Sequence, residues 1–242
     1  MNKIDLFVGD CLVVMREIPD KSIDLILSDL PYGTTLCQWD LIIPMEPLWE
    51  QYKRVRKDTT PIVLTAIQPF TSQLVNSNIE EFRYEWIWEK PQGTNPLNAK
   101  IMPLKAHENI IVFYKKTPLY HPIMTIGKPY KGFYDENKTI GEIYGKRISQ
   151  HEENLGTRYP KSVLRFPQSR EGLHPTQKPL ELMEYMISTY TNEGDIVLDN
   201  CMGSGTTGVA AKKLNRNFIG IEKEEKYFEI AKKRIESLTT LF

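Results

Sequence analysis

The segment running from Asp195 to Glu222 constrains the fold more than any other stretch of the sequence. The apolar run 195–199 reads as a buried strand ending in Asp199. It enters a helix over 205–214 through Asn200-Cys201-Met202-Gly203-Ser204-Gly205-Thr206-Thr207-Gly208. A second apolar strand, 218–221, follows and ends at Glu222. A strand, a glycine loop of the form GxGxxG, a helix with small residues and a returning strand make a βαβ unit, which belongs in a mostly parallel sheet covered on both faces. The rest of the chain agrees. Short apolar runs at 3–8, 23–27, 62–66, 82–88 and 109–115 suit strands, and helical spacing marks 12–18, 44–56, 69–77, 179–190 and 223–238. The expected class is therefore α/β.

The glycine loop directs backbone N–H groups and a helix N-terminus at a ligand, and Glu222 stands where a carboxylate can hold two ribose hydroxyls. No Gly-Lys-Ser/Thr occurs in the loop, which disfavours an ATP-type phosphate site. Asp199 sits immediately before the loop, where it would repel a pyrophosphate and attract an ammonium or sulfonium. Charge therefore favours S-adenosylmethionine (SAM) over a dinucleotide. An NAD-dependent oxidoreductase remains the alternative of a different class.

A second strand, 23–27, runs into Ser28-Asp29-Leu30-Pro31-Tyr32-Gly33. This turn resembles the signature of the SAM-dependent DNA amino-methyltransferases, Asp/Asn/Ser-Pro-Pro-aromatic, with Leu30 standing for the first proline. The resemblance implies that Asp29, Leu30, Pro31 and Tyr32 are catalytic. An aryl amine is a poor nucleophile because its lone pair is delocalised into the ring. A carboxylate accepting one N–H and a carbonyl accepting the other draw the nitrogen toward sp³ geometry. Asp29 and the Leu30 carbonyl would be those acceptors, Pro31 would stiffen the turn, and Tyr32 would stack on a base swung out of the duplex.

The resemblance also covers His174-Pro175-Thr176-Gln177-Lys178-Pro179, which looks like the family's motif beside the SAM methionine end, and Gly9-Asp10-Cys11-Leu12, which looks like its adenine-side segment. It implies SAM contacts from Asp10, Cys11, Asp29, His174, Thr176, Lys178, Asp199, Cys201, Gly203, Ser204, Gly205, Thr206 and Glu222. Cys201 stands where the family usually has Phe, and its smaller side chain would pack less on the cofactor. The order of catalytic turn, insertion and glycine loop resembles the beta class. That implies a circularly permuted, Rossmann-like methyltransferase sheet with an inserted target-recognition region. The expected divisions are 1–115 for the catalytic half, 116–172 for target recognition and 173–242 for the SAM-binding half.

The chain carries 31 Lys and Arg against 31 Asp and Glu, a neutrality that by itself argues against a nucleic-acid coat. The charge is unevenly placed. Residues 90–178 hold 15 basic against 7 acidic residues, with six tyrosines interleaved, a composition suited to phosphate and base contacts. Lys146, Arg147, Arg158, Lys161, Arg165 and Arg170 are the candidate DNA contacts. Asp rather than Ser opening the turn favours the N6 amine of adenine over N4 of cytosine within this class. The expected partner is double-stranded DNA, in a restriction–modification setting, and the resemblance allows a homodimer.

Cys11, Cys37 and Cys201 are too scattered for a zinc site or a disulfide framework, so no metal is expected. The absence of a signal-like N-terminus or a bilayer-length apolar run points to a cytoplasmic protein, with no membrane partner. His107, His121 and His151 read as structural or surface residues. Trp39 reads as a pocket or core anchor.

Overall fold

The computed structural model describes residues 2–34, 37, 40–131, 153–169, 173 and 176–238. Trp39, Lys146, Arg147, His151, Arg170 and His174 lie outside the described residues. Eight strands form the main sheet: β1 (Ile4–Val8), β2 (Leu25–Ser28), β3 (Ile62–Ala66), β4 (Phe82–Thr94), β5 (Lys105–Phe113), β10 (Val163–Arg165), β11 (Ile196–Asp199) and β12 (Asn217–Glu222). Their spatial order is β1-β12-β11-β2-β3-β5-β4-β10. Neighbours are parallel except β5, which runs antiparallel to β3 and β4.

This order is the permuted arrangement. Strands β11 and β12 come from the end of the chain and lie between β1 and β2 from its beginning. The register pairs Val8 with Glu222 and Leu198 with Ile26. Glu222, the glycine loop and the turn after β2 consequently emerge side by side at the carboxyl edge of the sheet.

Helices cover both faces. On one side lie α4 (Leu180–Tyr190), α5 (Thr206–Lys213) and α6 (Glu225–Ser237); on the other lie α1 (Cys11–Val14), α2 (Met45–Val55) and α3 (Phe70–Ser77). The alternation of β2 shows why. Leu25 and Leu27 join the α4–α6 layer, whereas Ile26 joins the α1–α3 layer, and all three are fully buried. Each such side chain contributes about 1.5–3 kcal/mol of burial. Helix α2 turns Leu48, Trp49, Tyr52 and Val55 inward, the i, i+1, i+4, i+7 stripe of an amphipathic helix.

Three elements differ from their expected extents. The helix anticipated over 12–18 is a single α-turn, capped by the Asp10 side chain on Leu12 N–H, followed by a 3₁₀ turn over Met15–Glu17. It stops at Ile18, which is extended because Pro19 follows. Strand β4 continues beyond Trp88 to Thr94 and β5 begins earlier, at Lys105. Pro91 and Gly93 are residues that strand interiors normally exclude, but the strand absorbs them as an irregularity between Glu89 and Thr94 and resumes pairing at Thr94 with Lys105.

Residues 122–161 form a separate compact unit, and 1–121 with 162–242 form the main one. The smaller unit is narrower than the anticipated 116–172. At one side, His121 N–H donates to the Thr189 carbonyl of α4; at the other, β10 pairs with β4 as an edge strand. Within the smaller unit, β6 (Thr125–Ile126) pairs with β9 (Thr157–Arg158), and β7 (Tyr130–Lys131) with β8 (Glu153–Asn154). No helix among the described residues is long and apolar enough to cross a membrane.

Candidate active site

The glycine loop owes its shape to three positions. Gly203 and Gly205 have φ of +50° and +78°, in the left-handed region that side chains disfavour. A Cβ on Gly208 would stand 2.4 Å from Ile235 Cδ1 and 2.6 Å from Phe218 Cε1, so the glycine lets α5 sit close to β12 and α6. The loop then points Gly203 N–H at Glu222 Oε2 (2.9 Å), while Glu224 N–H donates to Oε1 (2.8 Å). Burial raises the Glu222 carboxyl above its ordinary value, and these backbone donors partly offset the effect.

Asp199 closes β11. Its Oδ1 accepts from Ser28 Oγ at 2.7 Å and from Cys201 N–H at 3.1 Å. Burial pushes its pKa up to about 6, against those hydrogen bonds and one from Thr207. Tyr52 Oη donates to Asn200 Oδ1 at 2.6 Å beneath the loop.

The turn after β2 is built around two carboxylates. Asp40 accepts three backbone N–H groups: Tyr32 and Gly33 on Oδ1 at 2.8 and 2.9 Å, and Thr34 on Oδ2 at 2.9 Å. Asp29 collects three side chains. Its Oδ1 accepts from Tyr32 Oη at 2.6 Å and from Thr65 Oγ1 at the end of β3; its Oδ2 accepts from Lys178 Nζ at 2.6 Å. Lys178 also lies 3.4 Å from Glu108 Oε2, and Lys90 pairs with Glu108 Oε1 at 2.6 Å. Burial alone would lower the Lys178 ammonium; Asp29 and Glu108 outweigh it and hold the group above its usual value, protonated. Burial and the Asp29 carboxylate push the Tyr32 phenol well up, so it acts as a neutral donor. Its ring packs 5.3 Å from Phe70, centroid to centroid, and Lys178 Nζ lies 5.5 Å from the ring centre.

Asp29, Tyr32, Asp40, Glu108, Asp199 and Glu222 line one cavity of about 740 Å³. That volume lies within the range of small-molecule sites. The whole turn from Asp29 to Tyr32 borders it, as do Asp10, Cys11, Thr176 and Lys178. So do Asp199, Cys201, Gly203, Ser204, Thr206 and Glu222. Gly205 lies behind the loop, where a Cβ would stand 2.8 Å from Ala231 Cβ.

Of the basic candidates, Arg158, Lys161 and Arg165 lie within the described residues. Arg165 is on β10, paired with Glu89 at 2.8 Å, its side chain 79% exposed. Within the smaller unit, Arg158 lies 4.5 Å from the Tyr130 ring centre and donates to Asn154 Oδ1 and the Lys128 carbonyl, and Lys161 is exposed. His107 is an exposed residue of β5 paired with Glu89 in the ladder. Trp86 and Trp88 are buried strand residues.

Sequence reasoning did not single out Asp40, Thr65, Lys90 or Glu108. Thr65 and Glu108 did carry a signal: each is a polar residue at the edge of an apolar strand facing the same side of the sheet. Asp40 carried none, since its role lies in backbone contacts.

Comparison with known proteins gives a consistent result. A family model described as DNA methylase matches residues 23–233. The type II methyltransferase M2.MboI of Moraxella bovis is 28% identical over 97% of this chain and 88% of its own length. The crystal structure of an M1.HpyAVI–SAM complex superposes with a TM-score of 0.65 at 28% identity, covering 96% of this chain and 99% of the other. The cytosine-N4-specific PvuII DNA methyltransferase shares the fold, with a TM-score of 0.69 at 18% identity over 99% of this chain and 89% of its own.

Proposed function

Because the chain belongs to the N6/N4 DNA methylase family, we propose that it transfers a methyl group from SAM to the N6 amine of adenine in double-stranded DNA. The observation that carries this reading is the Asp29 carboxylate, at the border of the same cavity as the glycine loop and Glu222. The cavity fits SAM by charge as well as by size. Asp10, Asp199 and Glu222 make its loop end acidic, which suits a cationic ligand without phosphate. Glu222 retains acceptor capacity for ribose hydroxyls beside its two backbone donors.

SAM, when bound, supplies an electrophilic methyl group. The chain's own residues prepare the acceptor. Asp29 Oδ2, with one donor from Lys178, can still accept an amine N–H, and the Leu30 carbonyl accepts the other because Pro31 offers no competing N–H. Asp40 fixes the turn that presents both acceptors, so positioning is in place before substrate arrives. Tyr32, backed by Phe70, provides a face on which an extruded base stacks. Lys178, already protonated, orients Asp29 and does not act as the base. The basic excess across residues 90–178, including Lys146, Arg147, Arg158, Lys161, Arg165 and Arg170, holds the phosphate backbone, and the segment 116–172 selects the site. The relatives named type II methyltransferases support a restriction–modification setting for this activity.

Sequencing with base-modification detection on unmethylated phage DNA treated with protein and SAM tests this. The expected result is N6-methyladenine at one short motif. N4-methylcytosine alone would reassign the base, and unmodified DNA would overturn the function.

A further inference from the structure

The connection between β4 and β5 adds no apolar side chain to the cavity lining. Over eight residues it exposes Leu97 (96%), Ile101 (79%), Met102 (44%) and Leu104 (46%). Exposed apolar residues normally occur singly, and a cluster of this kind marks a contact surface. The partner's chemistry follows from the charge. No Asp or Glu occurs between Lys90 and Glu108, and Lys100 and Lys105 are both exposed beside the apolar group. Interfaces between protein copies are depleted in lysine, whereas apolar side chains flanked by cations suit a duplex, with its anionic backbone and stacked interior.

The turn is built, not loose. Asn98 and Ala99 N–H groups donate to the Asn95 and Pro96 carbonyls, Ile101 and Met102 N–H groups to the Asn98 carbonyl, and Asn98 Nδ2 to Asn95 Oδ1 at 3.0 Å. Asn95 adopts φ +69°. Gly93 leaves room for Leu104, whose Cβ a side chain there would meet at 2.5 Å. The turn grows directly from the cavity wall, since Trp88, Lys90 and Thr94 of β4 line it.

We propose that residues 95–104 form a wedge that enters the base stack beside the extruded adenine, with Leu97 and Ile101 occupying the opened step. This rests on the DNA-methyltransferase reading. A base taken into the cavity leaves its neighbours unstacked, which opposes extrusion. An apolar side chain in the opening replaces part of that lost contact and opposes return of the base.

The test is the double variant L97S/I101S. It alters only exposed side chains, so its melting curve should match wild type. Single-turnover transfer of tritiated methyl is measured on a duplex carrying the motif found by sequencing, and on the same duplex with a mismatch opposite the target. The mismatch lowers the cost of extrusion. The expected result is a loss of about tenfold or more on the matched duplex, with recovery to within about threefold of wild type on the mismatched one. SAM affinity and sedimentation behaviour should stay at wild-type values. Unchanged transfer on the matched duplex overturns the wedge, as does an equal loss on both duplexes. A shift in oligomeric state would identify the surface as an interface between copies and overturn it too. Wild-type protein that methylates neither duplex would remove the underlying function along with the wedge, whereas active wild type with an indifferent variant removes the wedge alone.

Discussion

Replacing Asp40 tests the claim that the catalytic turn is held ready before substrate binds. The carboxylate is 5% exposed and accepts three N–H groups, two on Oδ1 and one on Oδ2. A hydrogen bond to a charged acceptor contributes about 1.5–3 kcal/mol. The full sum overstates the loss, because Gly33 and Thr34 are exposed and their N–H groups can turn to water. Asp40→Ala should therefore destabilise the fold by about 2–4 kcal/mol, and Asp40→Asn, which keeps an oxygen for Tyr32 and Gly33, by about 1 kcal/mol. In urea that corresponds to a midpoint lowered by about 1 M for Ala and a third of that for Asn. The turn carries both amine acceptors, so a displacement near 1 Å should lower kcat by about 100-fold in Asp40→Ala. SAM affinity, which depends chiefly on the glycine loop and Glu222, should change little. Urea titration, calorimetric SAM binding and tritium transfer to DNA give the three readings. Transfer at the wild-type rate by a folded Asp40→Ala protein would refute the reasoning.

Other consequences follow from the same geometry. The folded Asp199 carboxyl, at about 6, lies above its ordinary 3.8, so the folded state binds more protons than the unfolded state between those values. Stability of the unliganded protein should therefore fall as pH rises through that window, while affinity for cationic SAM should rise, by at most about tenfold per pH unit. Asp199→Asn should flatten both profiles; a SAM affinity flat between pH 5 and pH 7.5 in the wild type would contradict this assignment. Glu81→Ala leaves Arg56, whose side chain is 4% exposed and bonded to Glu81 at 2.6 Å, as an uncompensated buried charge. It should cost about 3–5 kcal/mol in urea titration without altering SAM affinity. Gly208→Ala should lower stability by about 1–3 kcal/mol through overpacking against Phe218 and Ile235, and an unchanged melting temperature would argue against the close approach.

Much of this molecule was legible in its sequence, and the limits have physical causes. The βαβ unit at 195–222 and the turn after β2 declare themselves because local chain geometry needs particular residues there, such as glycine at positive φ in the loop. The permuted sheet order was accessible only through motif order, since strand neighbours are set by long-range pairing. Asp40 was invisible because any acceptor of backbone N–H groups looks like an ordinary loop carboxylate. Lys178 was placed by motif beside the cofactor; the structure puts its ammonium on Asp29 and near Glu108, a relation between residues 149 apart. The extension of β4 and β5 past Pro91 was hidden by breaker residues that a strand can absorb at an irregularity.

The most direct test of the central claim follows the methyl group itself. Unmethylated DNA is incubated with the protein and SAM carrying a deuterated methyl, digested to nucleosides and analysed by mass spectrometry. The account predicts deuterated N6-methyladenine from wild-type protein and none from Asp29→Ala, which should still bind SAM. Label found only on cytosine, or label on adenine undiminished in Asp29→Ala, would contradict it.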